Sequence, residues 1–422
     1  MKPLAIISMH ASPIAPLGSG ENGGMNVYVR AVCQELSRRG VATEVFSRRV
    51  SSKGPDRVRL AAHSWVRQLE VGPRAELGKA ELFDLLPELT DAVLQSAGGS
   101  APFSLVHSHY WLSGWVAARL KDAWGVPWFH TAHTLARVKN ERAAIGATLE
   151  PDHRIAVEQA VVRNSDRLIA SSVEEADDLQ RLYGASRSRV SVVPPGVDLT
   201  VFHPRPTERL RARHRLAGAR VIVFAGRLER LKGAETLLRA FALLVHTGTV
   251  DQPLALVIIG DDSHNGELES QELGGERGRL QGLAKSLGIA SQVRFVGPVA
   301  QTALAGYLSL ADVCVVPSYS ESFGLVALEA EACGTPVVAA RVGGLPSVVK
   351  DGLTGYTLVS HDPAHYAERI ARILQDDELR RCFRRRSRLV AAQFTWAATV
   401  DRLLVEYGRP ASPELQPAAV AG

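Results

Sequence analysis

Cysteine is scarce in this chain. Cys33, Cys314, Cys333 and Cys382 are the four among 422 residues, they lie far apart, and none forms a CxxC pair. A disulfide framework and a thiolate zinc site are both excluded by that spacing, so buried, reduced thiols are expected. Long hydrophobic runs are missing too: no stretch of eighteen apolar residues occurs, and no membrane-spanning helix is expected. The first apolar run, Leu4 to Met9, is short and is followed by His10. It reads as a first strand rather than a signal peptide, which with the cysteine usage predicts a cytoplasmic protein. Aromatic residues make up only 6%, and no aromatic-basic platform or zinc pattern is present, which argues against nucleic acid as a partner. Net charge is modest, 49 basic against 44 acidic residues, or +5. The excess gathers at Arg380, Arg381, Arg384, Arg385, Arg386 and Arg388, where a solvated helix face is the simplest reading and an anionic membrane or partner surface the alternative.

What is present is an alternation of apolar β-rich runs and amphipathic helical segments, over a length that suits two domains. The opening strand leads through GSGENGGMNVYV into a helical pattern ending at Gly40, a strand, glycine loop and helix that start a doubly wound α/β domain. Gly23 and Gly24 allow close backbone approach to a ligand beside Asn26, although a purely structural turn fits equally well. The amphipathic segment LGKAELFDLLPELTDAVL carries Lys79 near its start. Two further strands end in polar aromatic clusters, His107 to Trp111 and then His130 to Thr134, at the edge where open α/β sheets bind ligands. Four histidines there invite a zinc reading, but no carboxylate or cysteine completes a compact set. Pro194, Pro195 and Gly196 mark a junction. The predicted organisation is therefore an N-terminal domain over 1–198, a C-terminal domain over 199–394, a helix at 395–408 returning to the N-terminal domain, and a disordered tail over 409–422.

The second half begins afresh with a strand followed by Arg227 and Lys232 ahead of a helix. Arg as a bidentate fork and Lys as a point charge, placed there, suit a diphosphate. Further on, SYSESFGLVALEAEACGTP (318–336) reads as strand end, polar loop with Glu321, and helix carrying Glu329. Backbone N–H groups around Phe323, Gly324 and Leu325 have no intrahelical partner and favour an anionic oxygen. Two carboxylates beside such a cradle suit hydroxyl groups, hence a sugar nucleotide rather than a bare phosphate. A solvated Glu329 on an ordinary helix is the alternative.

Taken together, GGMNVYV, HSHYW, PPGVD, the Arg227 and Lys232 pair and ESFGLVALE resemble the retaining GT-B glycosyltransferases that use nucleotide sugars, with Glu321 and Glu329 matching their E-x7-E element. Within them the chain is most similar to the inositol-phosphate glycosyltransferases of mycothiol biosynthesis, over nearly its whole length. The resemblance implies an α/β fold of the GT-B type, two Rossmann-like doubly wound domains facing a central cleft, and retaining transfer of a hexosyl group from a UDP-GlcNAc-like donor to an inositol phosphate. It implies that Arg227, Lys232, Glu321 and His133 serve the chemistry. Gly24, Arg294, Phe323, Gly324, Leu325 and Glu329 would hold the donor, Arg294 beside the base and Glu329 at the ribose. Asn26, Lys79, Tyr110, Thr134 and Arg154 would face the acceptor, several at its phosphate. No metal is implied for the chemical step, a structural divalent ion such as Mg remains compatible, and a homodimer is among the assemblies the family suggests. No protein nucleophile is needed, since the acceptor attacks the face the diphosphate leaves.

The chain also departs from that pattern. Glu21 and Asn22 stand where an Asp-Ala pair is usual, LERLKG (228–233) replaces an IQPLKA-like run, and Glu141 to Leu149 lacks the usual acidic, Asn-rich stretch. These keep open a secondary-metabolism relative that glycosylates a small thiol or hydroxyl acceptor from a GDP- or UDP-sugar, as in lincosamide pathways. A catalytically silent sugar-nucleotide-binding protein is the reading from another class.

Overall fold

The structure is a computed structural model describing residues 2–15, 23–51, 54–98, 102–142, 149–262 and 275–409. Most of the glycine segment 18–24, with Glu21 and Asn22, much of 141–149, most of the loop over 261–278, and the tail expected at 409–422 (all but Arg409) lie outside the described residues. The chain forms two compact units. One is built from Met1–Ala15, Met25–Pro194 and the chain from Thr399 onward, the other mainly from Pro195–Ala398.

The first unit holds an eight-stranded sheet made of β1 (Leu4–Ile7), β2 (Thr43–Arg48), β3 (Arg57–Ala61), β4 (Ser64–Leu69), β5 (Leu105–His109), β6 (Trp128–Thr131), β7 (Arg167–Ala170) and β8 (Val190–Val192). Their order is β3-β4-β2-β1-β5-β6-β7-β8, parallel throughout except for β3, which runs antiparallel to β4. The second unit holds β9 (Arg220–Ala225), β10 (Leu254–Ile259), β11 (Val293–Gly297), β12 (Val313–Val316), β13 (Val337–Ala340) and β14 (Gly355–Leu358). They are ordered β11-β10-β9-β12-β13-β14, and every neighbouring pair is parallel. Both are doubly wound. The winding reverses between β1 and β5 in one sheet and between β9 and β12 in the other, and ligands of such sheets bind outside the carboxyl ends of the strands at that reversal.

Helices on both faces explain the continuous apolar runs. Along β9, Val221 and Val223 pack with Leu308 and Leu328 on one side, while Ile222 and Phe224 pack with Leu237 and Ile370 on the other. Period-two alternation thus buries residues 221–224 on both faces of this central strand, each large side chain contributing on the order of 1.5–3 kcal/mol.

The fold adds to or changes the sequence reading at several points. β3 was not anticipated, because its Arg57 and Arg59 give it the charged alternation of an exposed edge strand. The amphipathic segment after Gly78 forms two helices, Lys79–Asp84 and Leu86–Ala97, since Pro87 has no N–H to continue the first ladder. The arginine-rich helix, Asp377–Ala391, is only partly a solvated face. Arg380 is buried, donates to the carbonyls of Ile373 and Leu374, and pairs with Asp377 and Asp312. Arg384 donates to Ala311 O at 3.1 Å; both tie the helix to its own unit.

Candidate active site

At the β9/β12 reversal, two loops that carry the expected donor residues are stitched together. Lys232 Nζ donates to Glu321 Oε2 at 2.7 Å, and Tyr319 N–H donates to Leu231 O at 2.8 Å. Arg227 Nη2 lies 3.4 Å from Glu229 Oε1. Both cations are partly exposed and paired with carboxylates of modest burial.

The helix Leu325–Ala332 starts beside them. Its N-cap, Gly324, sits at φ 99°, and no side chain caps the first turn. That left-handed geometry favours glycine, and the first-turn N–H groups carry no side-chain cap. Phe323 is buried below, so its backbone rather than its ring serves the edge. Glu329 follows on the same helix, 7% exposed. Burial pushes its carboxyl up to about 8 against the opposing hydrogen bond with Gln301. A protonated Glu329 can donate to, as well as accept from, a hydroxyl.

The loop after β13 completes this edge through Gly343 and Gly344. Gly344 N–H donates to Ser322 O at 3.1 Å, and a Cβ on Gly343, at φ 48°, would stand 1.5 Å from Glu321 O. Tyr319 stacks on His361 with ring centroids 4.0 Å apart, and His361 Nε2 lies 3.2 Å from Ser318 O. Arg294 is the expected donor residue that the fold does not bring here. Its guanidinium donates to the carbonyls of Ser291 and Val293, toward the amino end of β11 and away from the carboxyl edge.

In the first unit the carboxyl ends of β5 and β6 hold two residues with positive φ, Tyr110 at 75° and His133 at 60°. Backbone of that kind costs about 1–3 kcal/mol in a non-glycine residue and concentrates at functional sites. Tyr110 N–H donates to Thr131 O at 3.0 Å, and its ring lies 4.4 Å from that of His10. The Arg154 guanidinium lies 5.0 Å from the Tyr110 ring centre and donates to Thr134 Oγ1 at 3.1 Å. Arg154 is 1% exposed and is flanked by Glu150 at 2.7 Å and Glu158 at 2.8 Å.

His133 Nε2 is 3.0 Å from His109 Nδ1, with the Tyr28 ring against both. His107 contacts Tyr407 OH through Nδ1 at 2.7 Å and Thr131 Oγ1 through Nε2 at 2.9 Å. Burial pulls His107, His130 and His133 down to about 3, so these imidazoles are neutral near pH 7. They act as hydrogen-bonding groups to one another and to hydroxyls. Among the described residues no group of three His, Cys, Asp or Glu is arranged to hold a metal ion.

Residues 206–390 match the family described as glycosyl transferases group 1, and residues 23–196 match the glycosyl transferase 4-like domain. A D-inositol 3-phosphate glycosyltransferase of Geodermatophilus obscurus is 45% identical over 410 residues, 96% of this chain and 88% of that protein. The chain is a group 1 glycosyltransferase. A second relative of this glycosyltransferase, the D-inositol 3-phosphate glycosyltransferase of Corynebacterium jeikeium, is 43% identical over 99% of this chain and 98% of its own. Among solved structures, a sucrose-phosphate synthase from Thermosynechococcus elongatus superposes with a TM-score of 0.86 at 33% identity, covering 96% of this chain and 98% of the other. Anabaena HepE, solved with UDP and glucose, shares the fold with a TM-score of 0.75 at 18% identity, covering 96% and 99%. The enzyme is thus of the hexosyltransferase type, with two Rossmann-like α/β units.

Of the five residues expected at the acceptor of this glycosyltransferase, the structure brings Tyr110, Thr134 and Arg154 together and treats the other two differently. Asn26 is fully buried, and its amide donates to Ser12 O at 2.8 Å. Together with Arg30, which donates to Pro13 and Ala15 carbonyls, it fastens the loop after β1 to the helix Gly24–Arg38 that Gly24 opens. Its place is therefore under the site. Lys79 is the half-buried first residue of its helix. Sequence reasoning missed Lys139, Glu150 and Glu158 around Arg154. The i,i+4 spacing of Glu150, Arg154 and Glu158 was the available signal.

Proposed function

We propose that this enzyme transfers a sugar, with retention of configuration, from a UDP-sugar such as UDP-GlcNAc to an inositol phosphate. The observation that carries the acceptor class is the buried Arg154 guanidinium set against Tyr110 and hydrogen-bonded to Thr134, a grouping suited to a phosphate rather than to a neutral alcohol. The names of relatives at 43–45% identity agree. The second unit then holds the nucleotide sugar. Arg227 and Lys232 exchange their carboxylate partners for the diphosphate and stabilise the charge that grows on it as the glycosidic bond breaks. The open first turn after Gly324 and Glu321 position the donor sugar, and Glu329 the ribose. In the first unit His133, neutral, offers a hydrogen bond to the donor sugar, and Lys79 assists at the acceptor phosphate.

The chemical step requires no metal in this reading, so transfer persists in EDTA, and a divalent ion such as Mg would act on stability alone. No described helix is long and apolar enough to cross a membrane, and a cytoplasmic enzyme with small-molecule substrates, without nucleic acid and with a homodimer as its assembly, fits the chain. The test incubates the purified enzyme with UDP-, GDP- and ADP-sugars and with D-inositol 3-phosphate or small thiols, and identifies products by mass spectrometry. A UDP-dependent inositol phosphate glycoside is expected. Transfer only from a GDP-sugar, or only to a thiol, would overturn the reading.

A further inference from the structure

Glu150 stands between two cations. Its Oε1 lies 2.7 Å from Lys139 Nζ and its Oε2 lies 2.7 Å from Arg154 Nη1. The two cations and the two carboxylates that touch them, Glu150 and Glu158, sum to zero formal charge, so an arriving phosphate meets no net positive charge there.

The two carboxylates are held very differently. Glu158 is 4% exposed; its Oε1 accepts from Arg154 Nε at 2.8 Å, and its Oε2 accepts from Ala136 N–H and from Tyr183 OH. Every lone pair that matters is used, and the group is fixed. The Glu150 side chain is 22% exposed, and among the described residues each oxygen meets only a cation. Its contact with Arg154 Nη1 is close but off the line of a hydrogen bond, and among the described residues Nη1 has no aligned partner. The Glu150 backbone is anchored independently of its carboxylate, since Glu150 N–H donates to Asn140 Oδ1 at 2.7 Å and Asn140 Nδ2 donates to Glu150 O at 3.2 Å. The side chain can rotate toward solvent without disturbing the chain that carries it.

We propose that Glu150 is a built-in stand-in for the acceptor's phosphate, displaced when a phosphomonoester binds, and that Lys139 is a further phosphate ligand exposed by that displacement. This rests on the acceptor reading given under Proposed function. The carboxylate bridges Lys139 and Arg154 as a phosphate would, and a phosphate oxygen supplies the aligned partner that Nη1 lacks. The exchange discriminates: a dianion outcompetes the single charge of Glu150, whereas a neutral polyol does not and finds the subsite occupied.

The test uses the full-length enzyme and inorganic phosphate as the probe, titrated calorimetrically against wild type, Glu150→Gln, Glu150→Ser and Glu150→Gln with Lys139→Met. Removal of a like charge from the subsite tightens phosphate in both Glu150 variants by roughly tenfold or more, and Lys139→Met reverses the gain. In transfer assays Glu150→Gln lowers the KM for D-inositol 3-phosphate. Phosphate binding that is unchanged or weaker in both folded Glu150 variants overturns the inference. Wild-type transfer to inositol phosphate together with that result sinks the inference alone. Tighter phosphate in the variants without any transfer to inositol phosphate sinks the function and leaves the anion exchange standing.

Discussion

Lys232 Nζ and Glu321 Oε2, 89 residues apart in sequence, meet at 2.7 Å where the second sheet reverses its winding. Side chains 22% and 19% exposed make this pair worth little to stability, about 0–1 kcal/mol. Its use is to hold a cation in place with a partner that can be exchanged. Replacing Lys232 by Ala is therefore expected to lower kcat by about 100-fold or more, the scale of losing one donor to developing charge, with Tm nearly unchanged. Steady-state kinetics beside a thermal melt decides it; a kcat within threefold of wild type refutes the role.

Gly343 controls the same edge through its backbone. With φ at 48° and Glu321 O only 1.5 Å from where a Cβ would stand, Gly343→Ala has to move the Glu321 loop. Donor affinity, read by titration with UDP, is expected to fall by about tenfold or more, since small displacements of positioning groups are costly. Gly352 is the control: its φ is 68°, but nothing lies within 4 Å of its Cβ position. Gly352→Ala is expected to cost stability on the order of 1 kcal/mol and to leave UDP binding unchanged.

How much of this was legible depended on distance along the chain. The buried strands were readable because a parallel strand covered on both faces is a continuous apolar run, as in VIVF (221–224) and LVII (256–259). β14 escaped notice because it is four residues long and opens on Gly355, and β3 because Arg57 and Arg59 disguise it as loop. Of the site, residue types at strand ends were readable, and their pairings were not. Nothing in Lys232 announces Glu321, and nothing in HSHYW announces Tyr407, 300 residues later. Arg294 shows the converse: a motif position assigns a residue but not the direction of its side chain, which here turns to the carbonyls behind it.

Tyr407 gives a test of that long-range tie. Its hydroxyl lies 2.7 Å from His107 Nδ1, and its ring packs at a right angle on Phe129, with centroids 5.1 Å apart. Tyr407→Phe keeps the ring and strands a buried imidazole nitrogen, which costs about 1–3 kcal/mol. Urea denaturation should show a lower midpoint with an unchanged slope. An unchanged midpoint would mean that the His107 contact adds nothing to the docking of the C-terminal helix.

Glu331 predicts how stability varies with pH. It lies on the Leu325–Ala332 helix with no exposed surface, and burial outweighs the opposing Thr354 contact and Lys350 charge. Burial pushes its carboxyl from 4.5 up to about 8. Between those values the folded chain holds a proton that the unfolded chain has released, so stability falls as pH rises through the window. The contribution is complete below about pH 4.5 and gone above about pH 8. Glu329 and Glu175, also raised by burial, act in the same direction, so the wild-type slope is a sum. Glu331→Gln removes one share of it, because the amide does not titrate. Any constant penalty from placing an amide there cancels when two pH values are compared. The Tm of the variant relative to wild type should therefore rise between pH 5 and pH 8 by roughly a few degrees, the scale of about 1 kcal/mol or more in a domain of this size. A difference that stays flat across that range would place the proton on another group.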